Sequence, residues 1–326
     1  MELLKKLTQC NSVSGNENAI CELIENEIKP YVDEIRVDAL GNLIAHKKGD
    51  GKKIMYAAHM DEIGIIVTFI DDNGFLRFGN VGGLNNKDLV YNKVQFANGT
   101  VGVIGSEEEN FKKSPTISKL YIDIGAKDKK DAESKVSIGD TAMFIGDTYF
   151  MGDTVISKAL DNRAGCYVLI ETAKQIADTS NDLYFVFTVQ EEVGLRGART
   201  AAYGVNPDMA VAVDVTDTGD TPECERMAVK MGKGAAVKIK DSSVLCHSEV
   251  RTLMIETAKE NNIPYQLEIM NCGGTDAGAI HTTREGIPTG GLSIPTRYIH
   301  SPSETADMGD IKACIDLLVK ISEKAL

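Results

Sequence analysis

The chain has no tryptophan, and aromatic residues make up 6% of its 326 positions. Sugar rings stack on flat aromatic side chains, so this scarcity speaks against a polysaccharide groove. Positive charge is short as well: 35 Lys and Arg stand against 48 Asp and Glu, a formal net charge of −13. An acidic chain repels polyanions, which argues against nucleic acid and anionic membrane as partners. No apolar run reaches the roughly 18 residues that cross a bilayer, and the opening "MELLKKLTQCNSVSG" lacks the unbroken apolar stretch of a signal peptide. The seven cysteines are odd in number, scattered and free of C-x-x-C. That usage suits a reducing cytoplasm, with most thiols expected to be small buried hydrophobes. Also missing are a phosphate-binding G-x-x-x-x-G-K-[ST] loop, a G-x-S-x-G elbow and an H-E-x-x-H helix.

What remains is an ordinary globular composition, 43% hydrophobic and 25% charged, long enough for about two domains. Ser14 and Glu17 have capping-box spacing before Ile20, Leu23, Ile24 and Ile28, which predicts a helix ending at Pro30. "KKIMYAAH" reads as a buried strand ending at His59. From 67 to 153 short strand-like runs alternate with turn signals such as "DDNG", "ANGT" and "SIGD", with one helix near "KDKKDAESKV". After 154 apolar strands at 183–190, 208–215, 235–239 and 288–294 alternate with helical stretches at 162–178 and 248–261. The pattern predicts an α/β catalytic domain, residues 1–66 and 154–326, with a sheet core covered by helices on both faces. Residues 67–153 would be a small inserted β-rich domain.

Taken singly, the polar residues of the strands have ordinary explanations. Asp161 precedes a helix and could cap it; Asp214 could end a turn; His59 could be a satisfied core histidine. "NCGGTDAG" reads as a tight turn. Taken together they do not look ordinary. Four apolar strands end in, or shortly precede, His59, Glu191 and Glu192, Asp214, and His300. Ligands of α/β sheets bind at the carboxyl ends of the strands. Two histidines and several carboxylates form a mixed N/O set suited to zinc, cobalt or manganese. There are enough of them for two ions sharing one carboxylate, with another left over as a base.

"AAHMDEIG", "KALDNRAG", "VQEEVGLRGA", "AVDVT" and "YIHSPSE" stand in the order found in the TET-type glutamyl/leucyl/lysyl aminopeptidases. The chain resembles this family of dinuclear metallopeptidases, some of which carry the name endoglucanase, over nearly its whole length. The resemblance implies that His59, Asp161 and Asp214 hold one divalent metal and that Asp161, Glu192 and His300 hold a second, zinc or cobalt. It implies catalytic roles for Glu191, as general base and then acid, and for Asp61, which would steady His59. It also implies a cis peptide bond after Asp161, peptide substrates cut at their free N-terminus, and use of the insert for dimerisation, with dimers building a tetrahedral dodecamer. The rival readings are a related deacylase or carboxypeptidase, an endoglucanase, and a non-enzymatic assembly protein. The endoglucanase needs only paired carboxylates and no metals. The assembly protein would lack a ligand or the base, and none is missing.

Overall fold

Four parallel strands form the centre of the computed structural model, which describes residues 1–107 and 115–326. In spatial order they are Asp182–Thr188, Lys53–His59, Met209–Thr216 and Thr289–Arg297. Strands covered on both faces read as continuous apolar runs. Accordingly Lys53–His59 is buried from Ile54 onward and Met209–Thr216 is buried throughout. Alternate residues serve the two faces. Tyr56 and Ala58 join the core under helices Glu2–Gln9, Asn18–Ile28, Leu160–Gln175, Ser248–Glu260 and Met308–Glu323. Met55 and Ala57 pack under the opposite layer, Arg196–Val205 and Asp276–Ile280.

Seven further strands widen the sheet to eleven among the described residues. Leu43–Lys47 and Glu34–Val37 extend one side. Glu304–Asp307, Thr154–Ser157 and Tyr149–Met151 extend the other. Ala235–Lys240 branches from Thr289–Arg297 and carries Tyr265–Ile269. The sheet with helices on both faces is the α/β architecture expected from the alternating pattern.

Along the chain, between Lys53–His59 and Tyr149–Met151, the described residues form a closed six-stranded barrel. Its strands are Gly64–Ile70, Leu76–Val81, Lys93–Phe96, Val101–Ser106, Leu120–Asp123 and Thr141–Phe144. Ile65, Val67, Phe78, Val94, Ile104, Ile122 and Phe144 fill a core of its own. The helix expected near "KDKKDAESKV" is the short Lys129–Glu133, capped by the Asp128 side chain.

Two local expectations fail. The N-terminal helix Asn18–Ile28 has Glu17 at its cap position, without a side-chain capping bond. Ser14 instead donates to Asp61 at 2.6 Å, and Glu17 accepts the backbone N–H groups of Gly15 and Gln190. A tertiary partner thus takes the Ser14 hydroxyl, and Glu17 is divided between a local and a distant N–H. Nor are most thiols buried: Cys166, Cys246 and Cys314 are, while Cys10, Cys21 and Cys224 are intermediate and Cys272 is exposed.

Candidate metal centre

The carboxyl ends of the four parallel strands converge. His59 is the last residue of its strand and pairs in register with Thr188, so Glu191 and Glu192 emerge beside it. Asp214 lies next in the sheet, and His300 follows the end of Thr289–Arg297. Asp161 arrives from another direction. It sits at the start of Leu160–Gln175, where helical dihedrals are interrupted at Asp161 and Asn162, and the bond between them is cis. Asn162 donates to the carbonyl of Val213 at 2.8 Å, which seats this segment beside Asp214.

The side chains form two groups of donors. In each, the ligand atoms lie within 4.8 Å of one another: His59, Asp161 and Asp214 in one, Asp161, Glu192 and His300 in the other. Asp161 divides its carboxylate between them. Its Oδ1 is 3.1 Å from His59 Nε2, and its Oδ2 is 3.4 Å from His300 Nε2. Asp214 Oδ1 is 3.6 Å from His59 Nε2, and Glu192 Oε2 is 3.2 Å from His300 Nε2. Glu191 reaches the first group from the side, with Oε2 3.9 Å from His59 Nε2. All seven residues proposed from the sequence are here; Asp61 lies behind His59.

Charge is crowded. Burial opposes the charged form of His59, yet Glu191, Asp214 and the contact with Asp161 outweigh it and lift its pKa well above the usual value. His300 is likewise opposed by burial but pushed up to about 12 by Asp161 and Glu192. Burial would raise Asp161, but its two histidines overcome this and hold it well below the usual carboxylate range. Glu191 rises well above that range through burial, reinforced by Asp214, Asp276 and Glu192. Glu192 and Asp214 rise too, chiefly through burial. The acids outnumber the imidazoles that could balance them. Among the described residues no lysine or arginine forms an ion pair with Asp161, Glu191, Glu192 or Asp214. Lys238, on the wall of the same 520 Å³ cavity, is committed to Glu268 and Asp241. Buried carboxylates require a cationic partner. A mixed imidazole and carboxylate set without ammonium partners fits a divalent metal ion.

The surroundings hold these groups rather than compete with them. Asp61 accepts the backbone N–H of Glu191 at 3.1 Å and of Glu192 at 3.3 Å. Its carboxylate is 3.5 Å from His59 Nδ1, whereas its backbone carbonyl is nearer, at 3.2 Å. Asp61 thus faces His59 Nδ1 with both its main chain and its side chain. Lys158 and Arg163, on either side of Asp161, both reach Glu62, at 2.5 and 3.4 Å. Gly83, in the loop after barrel strand Leu76–Val81, stands against the His300 ring; a Cβ there would lie 3.1 Å from Nδ1.

A model of the M42 glutamyl aminopeptidase family matches residues 41–317. The chain belongs to this family. M42 members are metal-dependent peptidases, hydrolases of peptide bonds, and the donor set above suits that chemistry. A relative from Acetivibrio thermocellus, provisionally named an aminopeptidase, is 60% identical over 98% of this chain and 97% of its own length. An aminopeptidase of the archaeon Desulfurococcus kamchatkensis superposes with a TM-score of 0.95 at 38% identity, covering 99% of this chain and 94% of that one. The TET1 peptidase of Pyrococcus horikoshii, which can assemble into a tetrahedron or a large octahedral shell, does so at 0.89 and 36% identity, covering 99% of both chains.

Two residues of this M42 site went unassigned in the sequence. Glu304 is fully buried and accepts the backbone N–H of Asp161 and of His300, each at 2.9 Å. It stands at the end of "YIHSPSE", whose histidine drew the attention. Asp276, in the Gly-rich stretch read as a tight turn, is buried and accepts the Thr188 hydroxyl at 2.5 Å. Burial pushes its carboxyl up to about 7. Only the GGTD pattern beside a buried helix start hinted at it.

Proposed function

We propose that this M42 peptidase is an aminopeptidase that removes N-terminal residues from peptides with Glu191 as its general base. His59, Asp161 and Asp214 would hold one divalent ion, and Asp161, Glu192 and His300 the other, with zinc or cobalt the best fit. Two such ions supply Lewis-acid activation of the scissile carbonyl and of water, together with an anchor for the substrate's free α-amine. The observation that carries this reading is the divided carboxylate of Asp161, one oxygen facing each histidine.

The chain's own residues divide the remaining work. Glu191 lines the cavity, and no hydrogen bond to its side chain competes for its carboxylate among the described residues. It takes a proton from the attacking water and returns it to the leaving amine. Its neighbour Glu192 faces His300 and serves as a ligand. Asp61 fixes the backbone of both, so the base and the ligand keep their separate directions.

The likeness to a shell-forming TET peptidase supports assembly of this chain into a closed oligomer; the oligomer proposed is a tetrahedral dodecamer built from dimers, with the inserted barrel as the dimerisation element. An enclosed chamber would admit peptides and exclude folded proteins. No helix among the described residues is long and apolar enough to cross a membrane. With the cysteines free, the cytoplasm is the proposed compartment.

The test is a panel of aminoacyl and N-acetyl-aminoacyl substrates, assayed after exhaustive chelation and again with added cobalt or zinc. Activity should require metal and a free amine. Full activity in metal-free protein would end the dinuclear reading, and fast cleavage of the blocked substrates would end the exopeptidase reading.

A further inference from the structure

Asp161 and His300 reach the second donor group from the ends of two neighbouring strands at the antiparallel edge of the sheet. Asp161 follows strand Thr154–Ser157. His300 lies in the turn before strand Glu304–Asp307, at a positive φ of 62°. Those strands pair with each other, Ser157 opposite Glu304. Glu304 is thus four residues from His300 along the chain and directly across from the segment that delivers Asp161. Its Oε2 accepts the Asp161 N–H and its Oε1 accepts the His300 N–H, both at 2.9 Å. Buried backbone N–H groups must find acceptors. Here one buried carboxylate meets two of them, each belonging to a proposed metal ligand.

We propose that Glu304 is a positioning residue that sets the separation of Asp161 and His300, and so the strength of the second metal site. The inference rests on the ligand assignment under Proposed function. Both oxygens are needed as acceptors. A glutamine offers one acceptor and one NH₂, and the NH₂ would face a backbone donor. An aspartate keeps the charge but is one methylene shorter, so it cannot hold both N–H groups from the same strand position. The first group, His59 and Asp214 with Asp161, keeps two residues that Glu304 does not touch. The first metal should therefore survive the loss better than the second.

The experiment compares full-length wild type, Glu304→Gln and Glu304→Asp. Bound cobalt per chain is measured by elemental analysis after dialysis against graded free cobalt, beside the melting temperature of each metal-free protein. Wild type should hold two ions. Both variants should hold one tightly and bind the second roughly 10–100-fold more weakly, with activity returning at high cobalt. If Glu304→Gln does not accumulate as folded protein, Glu304→Asp decides. Second-site affinity equal to wild type overturns the proposal while leaving the ligand assignment standing. An aspartate variant that behaves as wild type while the glutamine variant is weak also overturns it, since charge alone would then suffice. Parallel loss of both ions with a lowered metal-free melting temperature overturns it in favour of general loosening. A wild type that binds no second ion sinks the ligand assignment itself, and the proposal with it.

Discussion

The carboxylate of Asp61 accepts the backbone N–H of Glu191 at 3.1 Å. A residue two positions after a histidine thereby meets a turn 130 positions away, because adjacent parallel strands end side by side. Asp61→Asn places an NH₂ where a second acceptor is needed. Turnover should fall about 10–100-fold, with some loss of metal from the His59 group. Ser14→Ala, which removes only the 2.6 Å donor to Asp61, should change kcat no more than a few-fold. Equal kcat in wild type and Asp61→Asn would show that the turn holds itself.

The adjacent glutamates should fail in different ways. Glu191→Gln keeps size and shape, so both ions should remain bound while kcat drops by about 10²–10⁴. Glu192→Gln removes an anionic ligand, so one ion should be lost and added cobalt should partly restore activity. Metal content measured beside kcat decides the matter. Metal loss in Glu191→Gln with full loading of Glu192→Gln would reverse the two roles.

These side chains could be found in the sequence because the parallel strands are buried on both faces. A histidine or acid closing such a run has no place in the core and must lie at the strand end, where His59, Glu191, Asp214 and His300 are. The supports were illegible for the opposite reason. Glu62 meets Lys158 and Arg163, and Glu304 meets Asp161, across separations of about 100 residues or more. No local pattern encodes such contacts. Ser14 and Glu17 misled because their spacing suits a local cap, while Asp61 takes the Ser14 hydroxyl and Glu17 is shared between Gly15 beside it and Gln190 across the fold.

The insert should govern assembly. Replacing residues 67–153 with a short Gly/Ser linker should give a smaller species by light scattering; an unchanged oligomer would place the interface elsewhere. That deletion also removes Gly83, so lost activity alone says nothing about assembly. Gly83→Ala separates the effects. Its Cβ would press on the His300 ring, so second-ion affinity should fall while oligomer size stays constant. Unchanged metal affinity would mean that the ring yields freely.

Stability should carry a pH signature from Asp310, which belongs to neither donor group. Burial raises its carboxyl to about 6, against the N–H groups of Gly232 and Gly234, each 2.6 Å away. The folded state therefore holds the proton more tightly than the unfolded chain. This contribution is full below the unfolded value, about 3.9, and is lost as pH rises through about 6. Asp310→Asn lacks that titration, so its stability relative to wild type should improve between about pH 4 and about 6.5 in urea unfolding. A constant difference across that interval would show that Asp310 does not titrate there.

The proposed donors are spread from residue 59 to residue 300, and no two of those in one group come from the same strand or helix. This has a consequence for synthesis. As the chain leaves the ribosome, His59 emerges early, Asp161 much later, and the second group has no histidine until residue 300 is made. A partly translated chain thus holds at most a fragment of the machinery. The second group is completed only near the end of synthesis, after every strand and helix that carries the other donors has been made.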